Sequence, residues 1–273
     1  MLTRLKRALV GTMAALLLLL SILAALALSD HLVWPTADGT ETAAKGKLTV
    51  DYSHAADGYI MARAEAGSKK YKLRIKLGKS TMTYDLNSDG EYEVFPLQLG
   101  SGKYTVTLYQ NASGKKYSEE GAVSLNLQLS DENAPFLCPN QYVNYTADSR
   151  AVALSEEICA GCTTDREKLD AIKAYMLSHF NYDFIKATTV TSGTMPDMDY
   201  VLDNGMGICQ DLAVLTACML RVQGIPTKFM IGYCGKQYHA WNVVTIDGQD
   251  ELYDPTMDLG GVSGSKYSVE RYY

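Results

Sequence analysis

Between Lys47 and Ser130 apolar residues recur at every second position. Leu48, Val50 and Tyr52 share one face, as do Leu73, Ile75 and Leu77, and again Tyr104, Val106 and Leu108. Val123, Leu125, Leu127 and Leu129 alternate with Ser124, Asn126 and Gln128. A period of two puts one face of an extended chain in a core and the other in water, the mark of half-buried strands. Turn-forming clusters separate the runs: Asp57-Gly58, Asn87-Ser88-Asp89-Gly90, Gly100-Ser101-Gly102 and Ser113-Gly114. About seven short strands at this spacing predict an all-β sandwich over residues 47–130, immunoglobulin-like in outline. No catalytic constellation falls in this half, which reads as a spacer or binding module.

Past Ser130 the period lengthens. Ala151, Leu154 and Ile158 recur at helical spacing, and Thr164-Asp165-Arg166-Glu167 has the form of a capping box. The helix it opens carries Leu169, Ile172, Tyr175 or Met176, and His179 on one face. Residues 187–196, rich in Thr, Ser, Gly and Pro, read as a loop. A second helix begins near Cys209, with Leu212, Leu215, Met219 and Val222 as its stripe and Gly224 and Pro226 as its stop. Strand-like runs follow at 228–233, 238–246 and 251–253. Helices followed by a small antiparallel sheet predict an α+β domain over residues 131–273.

The first 29 residues stand apart. Arg4, Lys6 and Arg7 precede an uncharged run from Ala8 to Leu28, the order of a secretory signal, and Ala25-Leu26-Ala27 offers a cleavage site. The run is also long enough to remain as a membrane anchor. Either way the basic flank directs the rest of the chain outward, so an extracellular or secreted protein is expected. Residues 30–46 read as a polar linker. The net charge of −6, with no basic stripe, argues against a nucleic-acid partner. The four histidines (His31, His54, His179 and His239) lack metal-ligand spacing, so no metal site is expected.

Candidate chemistry centres on Gly205-Met206-Gly207-Ile208-Cys209-Gln210-Asp211. A cysteine in the first turn of a helix meets free backbone N–H groups and the positive end of the helix dipole, which favour a thiolate. Cys218, nine residues on, falls on the opposite side of the helix and reads as a packed small hydrophobe. A thiolate nucleophile needs a base, and the base an orienter. Tyr238-His239-Ala240-Trp241 opens a strand, Asp247-Gly248 is a turn signal, and the returning run reaches Asp254-Pro255. A two-residue turn would set His239 opposite Thr256 with Asp254 on the diagonal, on the same face. A turn one residue longer would send Asp254 to the other face.

The blocks Gly205–Tyr233, Tyr238–Val244 and Leu252–Asp258, in this order, resemble the transglutaminase-like superfamily of papain-type folds, over roughly residues 165–260. The resemblance implies a catalytic triad of Cys209, His239 and Asp254. It implies thiol chemistry on amide bonds, as hydrolysis, crosslinking or deamidation, with a peptide, protein or cell-wall peptide as substrate. The mechanism asks for no cofactor. Gln210 is a less usual neighbour for the nucleophile. Asp203 stands where papain-like proteases carry an oxyanion-hole glutamine, leaving Tyr182 or Asn181 as alternative donors. The rival reading is a non-catalytic cell-surface binding module that keeps the fold. Cys159-Ala160-Gly161-Cys162 lacks the strand context of a thioredoxin-type motif and reads as a local disulfide in an exported protein.

Overall fold

A computed structural model describes residues 34–264 and 266–273. The signal or anchor segment, 1–29, lies outside the described residues.

The first half forms eight strands: β1 (Thr42–Lys45), β2 (Leu48–Asp51), β3 (Tyr59–Ala64), β4 (Tyr71–Leu77), β5 (Ser80–Leu86), β6 (Glu93–Pro96), β7 (Gly102–Ser113) and β8 (Lys116–Leu127). They make two four-stranded antiparallel sheets, in the orders β1-β2-β3-β6 and β5-β4-β7-β8. The alternating residues face a core: Leu48, Val50, Leu73, Tyr104, Val106 and Leu108 are fully buried. Tyr84 of one sheet packs edge-on against Phe95 of the other, ring centroids 5.2 Å apart.

The second half is α+β. Its elements are α1 (Arg150–Ile158), α2 (Asp165–His179), β9 (Asn181–Tyr182), α3 (Phe184–Thr189), α4 (Met198–Asn204), β10 (Met206–Gly207), α5 (Cys209–Val222), β11 (Thr227–Cys234), β12 (Gln237–Ile246), β13 (Gln249–Tyr253), α6 (Pro255–Leu259) and β14 (Tyr267–Tyr272). An antiparallel sheet runs β13-β12-β11-β14, and β9 pairs in parallel with β10. Helix α2 opens on the predicted capping box: Thr164 Oγ1 accepts the Glu167 N–H, and the Glu167 carboxylate accepts the Thr164 N–H. Leu169, Ile172 and Met176 are its buried face, while His179 is exposed and stacks on Tyr175. Phe180, one residue past the helix, takes the buried place instead.

Helix α5 is the axis of this half. Every residue from Asp211 to Val222 is buried, so the stripe read from Leu212, Leu215, Met219 and Val222 is only one side of a helix covered all round. Helices α1, α2 and α4 and strands β11 and β12 surround it. Its Arg221 is buried as well. The guanidinium donates to the main-chain oxygens of Cys138, Thr227 and Tyr273, tying helix, sheet and the 138 segment together. Strand β14, which carries no clear alternation, joins the halves: Gln98 Nε2 donates to Tyr272 O, and the Tyr272 hydroxyl donates to Gln98 O. No helix among the described residues is long and apolar enough to cross a membrane.

Candidate active site

The nucleophile's position is built from the residues just before it. Gly205, at φ +65°, ends α4 in a left-handed conformation that glycine adopts without strain. The Asn181 and Asp183 N–H groups then donate to the Gly205 and Gly207 oxygens, at 2.9 and 3.0 Å. Gly207 is required for packing rather than for substrate approach: a Cβ there would stand 2.8 Å from Val201 Cγ2 and 3.1 Å from Asp211 Cβ. Cys209 follows as the first residue of α5, partly exposed.

Asp211, fully buried in the same first turn, fixes that start. Its Oδ2 accepts the Ile208 N–H at 3.1 Å and its Oδ1 the Asp197 N–H at 3.2 Å. Lys186 Nζ lies 2.7 Å from Oδ2 and supplies the counter-charge that a buried carboxylate needs. Lys186 also sits 4.0 Å from the Tyr200 ring centroid, and the Tyr200 hydroxyl donates to Asp183 Oδ2 at 2.6 Å. That hydrogen bond, with the Lys186 N–H and the Lys186 charge, holds the Asp183 carboxyl below its ordinary value. Lys186 stands alone in a Thr-rich segment and has no sequence signature.

His239 and Asp254 come together through the hairpin. Asp247 (φ +51°) and Gly248 (φ +75°) form a two-residue turn with both central residues left-handed, as type I′ requires. The register pairs Ile246 with Gln249 and Asn242 with Tyr253, the shorter-turn alternative. Pairing ends at Tyr253. Asp254 caps α6, its Oδ1 accepting the Thr256 and Met257 N–H groups, both at 3.1 Å. Its Oδ2 lies 2.7 Å from His239 Nε2 and also accepts the Tyr267 hydroxyl at 2.8 Å. Both members of the pair are buried, at 4% exposure. Trp241, two positions along β12, stacks near the imidazole, and the Tyr267 ring packs on Trp241 at 4.9 Å.

Burial alone would pull the imidazole pKa down. The hydrogen bonds to Asp254 and Cys209, with the charges of both, outweigh it and raise the value from 6.5 to about 10. With Nε2 on Asp254, Nδ1 is the nitrogen left for the thiol. The arrangement is therefore a cysteine sulfur, an imidazole whose hold on its proton is raised, and a carboxylate fixed by four hydrogen bonds. It can perform nucleophilic attack with proton return. Among the described residues, no group of three or more His, Cys, Asp and Glu side chains is placed to hold a metal.

The neighbours answer the questions that the sequence left open. Gln210 turns from the thiol and donates from Nε2 to Thr194 O at 3.1 Å, tethering the 190–197 loop. Asp203 pairs with Arg150 at 2.6 Å on the surface and offers no oxyanion donor. Tyr182 lies close enough to Cys209 that the sulfur's charge adds to burial in raising the phenol to about 12. Phe184 packs edge-on against Tyr182 and, with Ile185, is three-quarters or more exposed. Cys218 is fully buried. Cys159 and Cys162 stand as hydrogen-bonded thiols across a turn in which the Cys162 N–H donates to Cys159 O. Sequence reasoning missed Lys186 and Tyr267.

Residues 152–251 match the transglutaminase-like superfamily. No curated protein matches the chain. Among solved structures, a "Putative Cysteine Protease" from Cytophaga hutchinsonii is 17% identical, covering 76% of this chain and 82% of its own, with TM-score 0.41. The periplasmic domain of TgpA from Pseudomonas aeruginosa is 16% identical, covering 84% of this chain and 96% of its own, with TM-score 0.39. At TM-scores this low, neither likeness bears on the chemistry of this chain.

Proposed function

Given a transglutaminase-like domain at residues 152–251, we propose that this chain is an exported thiol enzyme that transfers acyl groups from peptide or carboxamide bonds. Cys209 Sγ attacks the carbonyl carbon, and the developing oxyanion is met by the Cys209 N–H and the Tyr182 hydroxyl. The imidazolium of His239 gives its proton to the departing amine or ammonia, leaving a thioester on Cys209. Water or a primary amine then attacks the thioester while His239 takes its proton, and the carbon–sulfur bond breaks to return the Cys209 thiolate beside the His239 imidazolium. Asp254 holds the ring throughout. The observation that carries this reading is the His239 imidazole with Nε2 2.7 Å from a buried carboxylate and its other nitrogen left for Cys209.

Residues 1–29 direct export and are either cleaved or kept as an anchor; the basic-then-apolar order of the run supports this. The 30–46 segment, expected as a linker, carries β1 (Thr42–Lys45), which pairs with β2, so the sandwich begins ahead of residue 47. Residues 47–130 serve as a β-sandwich module that presents the 131–273 domain outside the cell, and the two four-stranded sheets favour that reading.

The test is incubation with a glutamine-containing peptide and a fluorescent primary amine, in wild type and Cys209→Ala. Label on the peptide identifies a transferase. Ammonia release or cleavage without label identifies a hydrolase. Neither product across a panel of proteins, glutamine peptides and cell-wall peptides overturns the enzyme reading and leaves a binding module.

A further inference from the structure

Helix α3 turns the usual arrangement of a surface helix inside out. Its one charged residue, Lys186, points inward, with the side chain 18% exposed and Nζ 2.7 Å from the fully buried Asp211. Its two large apolar residues point outward, Phe184 at 75% exposure and Ile185 at 79%. The helix is fixed in that attitude. The Asp183 carboxylate caps it by accepting the Lys186 N–H at 2.8 Å, and the Asp183 N–H donates to Gly207 O at 3.0 Å. Phe184 and Ile185 are therefore held in water by a helix tied to the first turn of α5, the turn that opens with Cys209.

Position says what covers them. Phe184 packs edge-on against Tyr182, ring centroids 5.0 Å apart, and Tyr182 is near enough to feel the charge of the Cys209 sulfur. An extended peptide advances about 3.3 Å per residue. When such a peptide offers a carbonyl to that sulfur, a side chain within about two residues of the attacked group reaches Phe184 and Ile185. Size points the same way. One aromatic side chain buries about 150–250 Å², so this pair offers on the order of 300 Å². A stable protein complex takes about 800 Å² from each partner. The patch seats one or two side chains, which excludes a second copy of this chain held by these residues alone. The excess of acidic over basic residues, 31 against 25, disfavours an anionic membrane.

Granted that Cys209 is the nucleophile proposed above, we infer that Phe184 and Ile185 select the acyl donor, a peptide with a large apolar residue within about two positions of the attacked carbonyl. That side chain lies across the ring of Phe184 and the branched chain of Ile185 and removes both from water. Lys186 is the device that keeps the pair facing the substrate, because its ion pair with Asp211 turns the opposite side of α3 inward.

Pentapeptides carrying a chloroacetyl group on a central diaminopropionic acid test the contact, since Cys209 Sγ displaces chloride without any need for turnover. The four flanking residues are leucine in one probe and asparagine, its polar isostere, in the other. On the full chain the leucine probe should label Cys209 at least about tenfold faster, the low end for a small apolar contact. Ile185→Ser should reduce that ratio, and Phe184→Ser/Ile185→Ser should bring it to within about twofold of unity. A ratio read within each protein cancels any change in the thiol itself. Labelling of Cys209 at equal rates by both probes, or a preference that survives the double variant, would overturn the inference and leave the nucleophile standing. Equal rates together with sedimentation of wild type, but not the double variant, on phosphatidylcholine vesicles would overturn it by assigning the patch to a lipid surface. If neither probe nor iodoacetamide labels Cys209, the nucleophile itself falls, and this inference with it.

Discussion

Tyr267→Phe isolates one hydroxyl in the candidate triad. The ring keeps its packing on Trp241, while Asp254 Oδ2 loses the donor at 2.8 Å and keeps His239 Nε2 at 2.7 Å. A hydrogen bond to a charged group contributes about 1.5–3 kcal/mol, and partial exposure of Tyr267 puts this one near the lower end. Two effects should follow. Orientation of the imidazole loosens, and about 1.4 kcal/mol expressed there is a tenfold loss of rate. The carboxylate, with one donor fewer, also holds the imidazolium proton more tightly, so that proton leaves at a higher pH than in wild type. The assay is the rate of Cys209 alkylation by iodoacetamide from pH 5 to 11, read by peptide mass spectrometry. The alkaline step of the profile should move upward and the neutral-pH rate should fall by about tenfold. A variant that loses stability while its alkylation profile matches wild type would show that the hydroxyl only supports the fold, and the positioning argument would fail.

The raised imidazole pKa makes stability depend on pH. His239 binds its proton more tightly folded than unfolded, so its contribution is full below about pH 6.5 and is lost as pH rises through about 10. Urea unfolding of wild type should show stability declining across that window, with a shallower decline in His239→Gln; equal slopes would contradict the pairing. Lys186→Met strands the buried Asp211 carboxylate and should cost about 3–5 kcal/mol, with a large part recovered in Lys186→Met/Asp211→Asn. Additive losses in the double variant, measured by denaturant midpoint, would mean that the two charges do not act as a pair.

How far the site can be read in the sequence depends on the range of the interaction. Cys209 is legible because a helix start is a local event, marked by Gly205, Gly207 and the apolar run behind them. The meeting of His239 with Asp254 is legible because one turn, Asp247-Gly248, fixes a register across the hairpin. Tyr267 is not: it lies on β14, whose place beside β11 is set by tertiary pairing and whose sequence, Tyr267-Ser-Val-Glu-Arg-Tyr272, has almost no buried face. Lys186 is hidden for a similar reason, since its partner is 25 residues away on another helix. The Thr-rich segment beyond it hides the end of α3, because Thr188 and Thr189 are poor helix formers that here bond back to Ile185 O. The all-round burial of α5 is not legible because its apolar stripe marks only one face, while the small and polar residues between, Ala213, Thr216 and Ala217 among them, are buried by neighbouring elements.

The late position of β14 has a consequence in time. Cys209, His239 and Asp254 all precede Tyr267 in the chain, and the Gln98–Tyr272 contact spans 174 positions. Contacts this distant form only after much of the intervening chain is available. Until Tyr267 is in place, Asp254 Oδ2 lacks one of the donors that hold it. Strand β14 therefore acts as a delay: Asp254 gains its complete set of hydrogen bonds only once β14 has paired with β11 and brought Tyr267 to it.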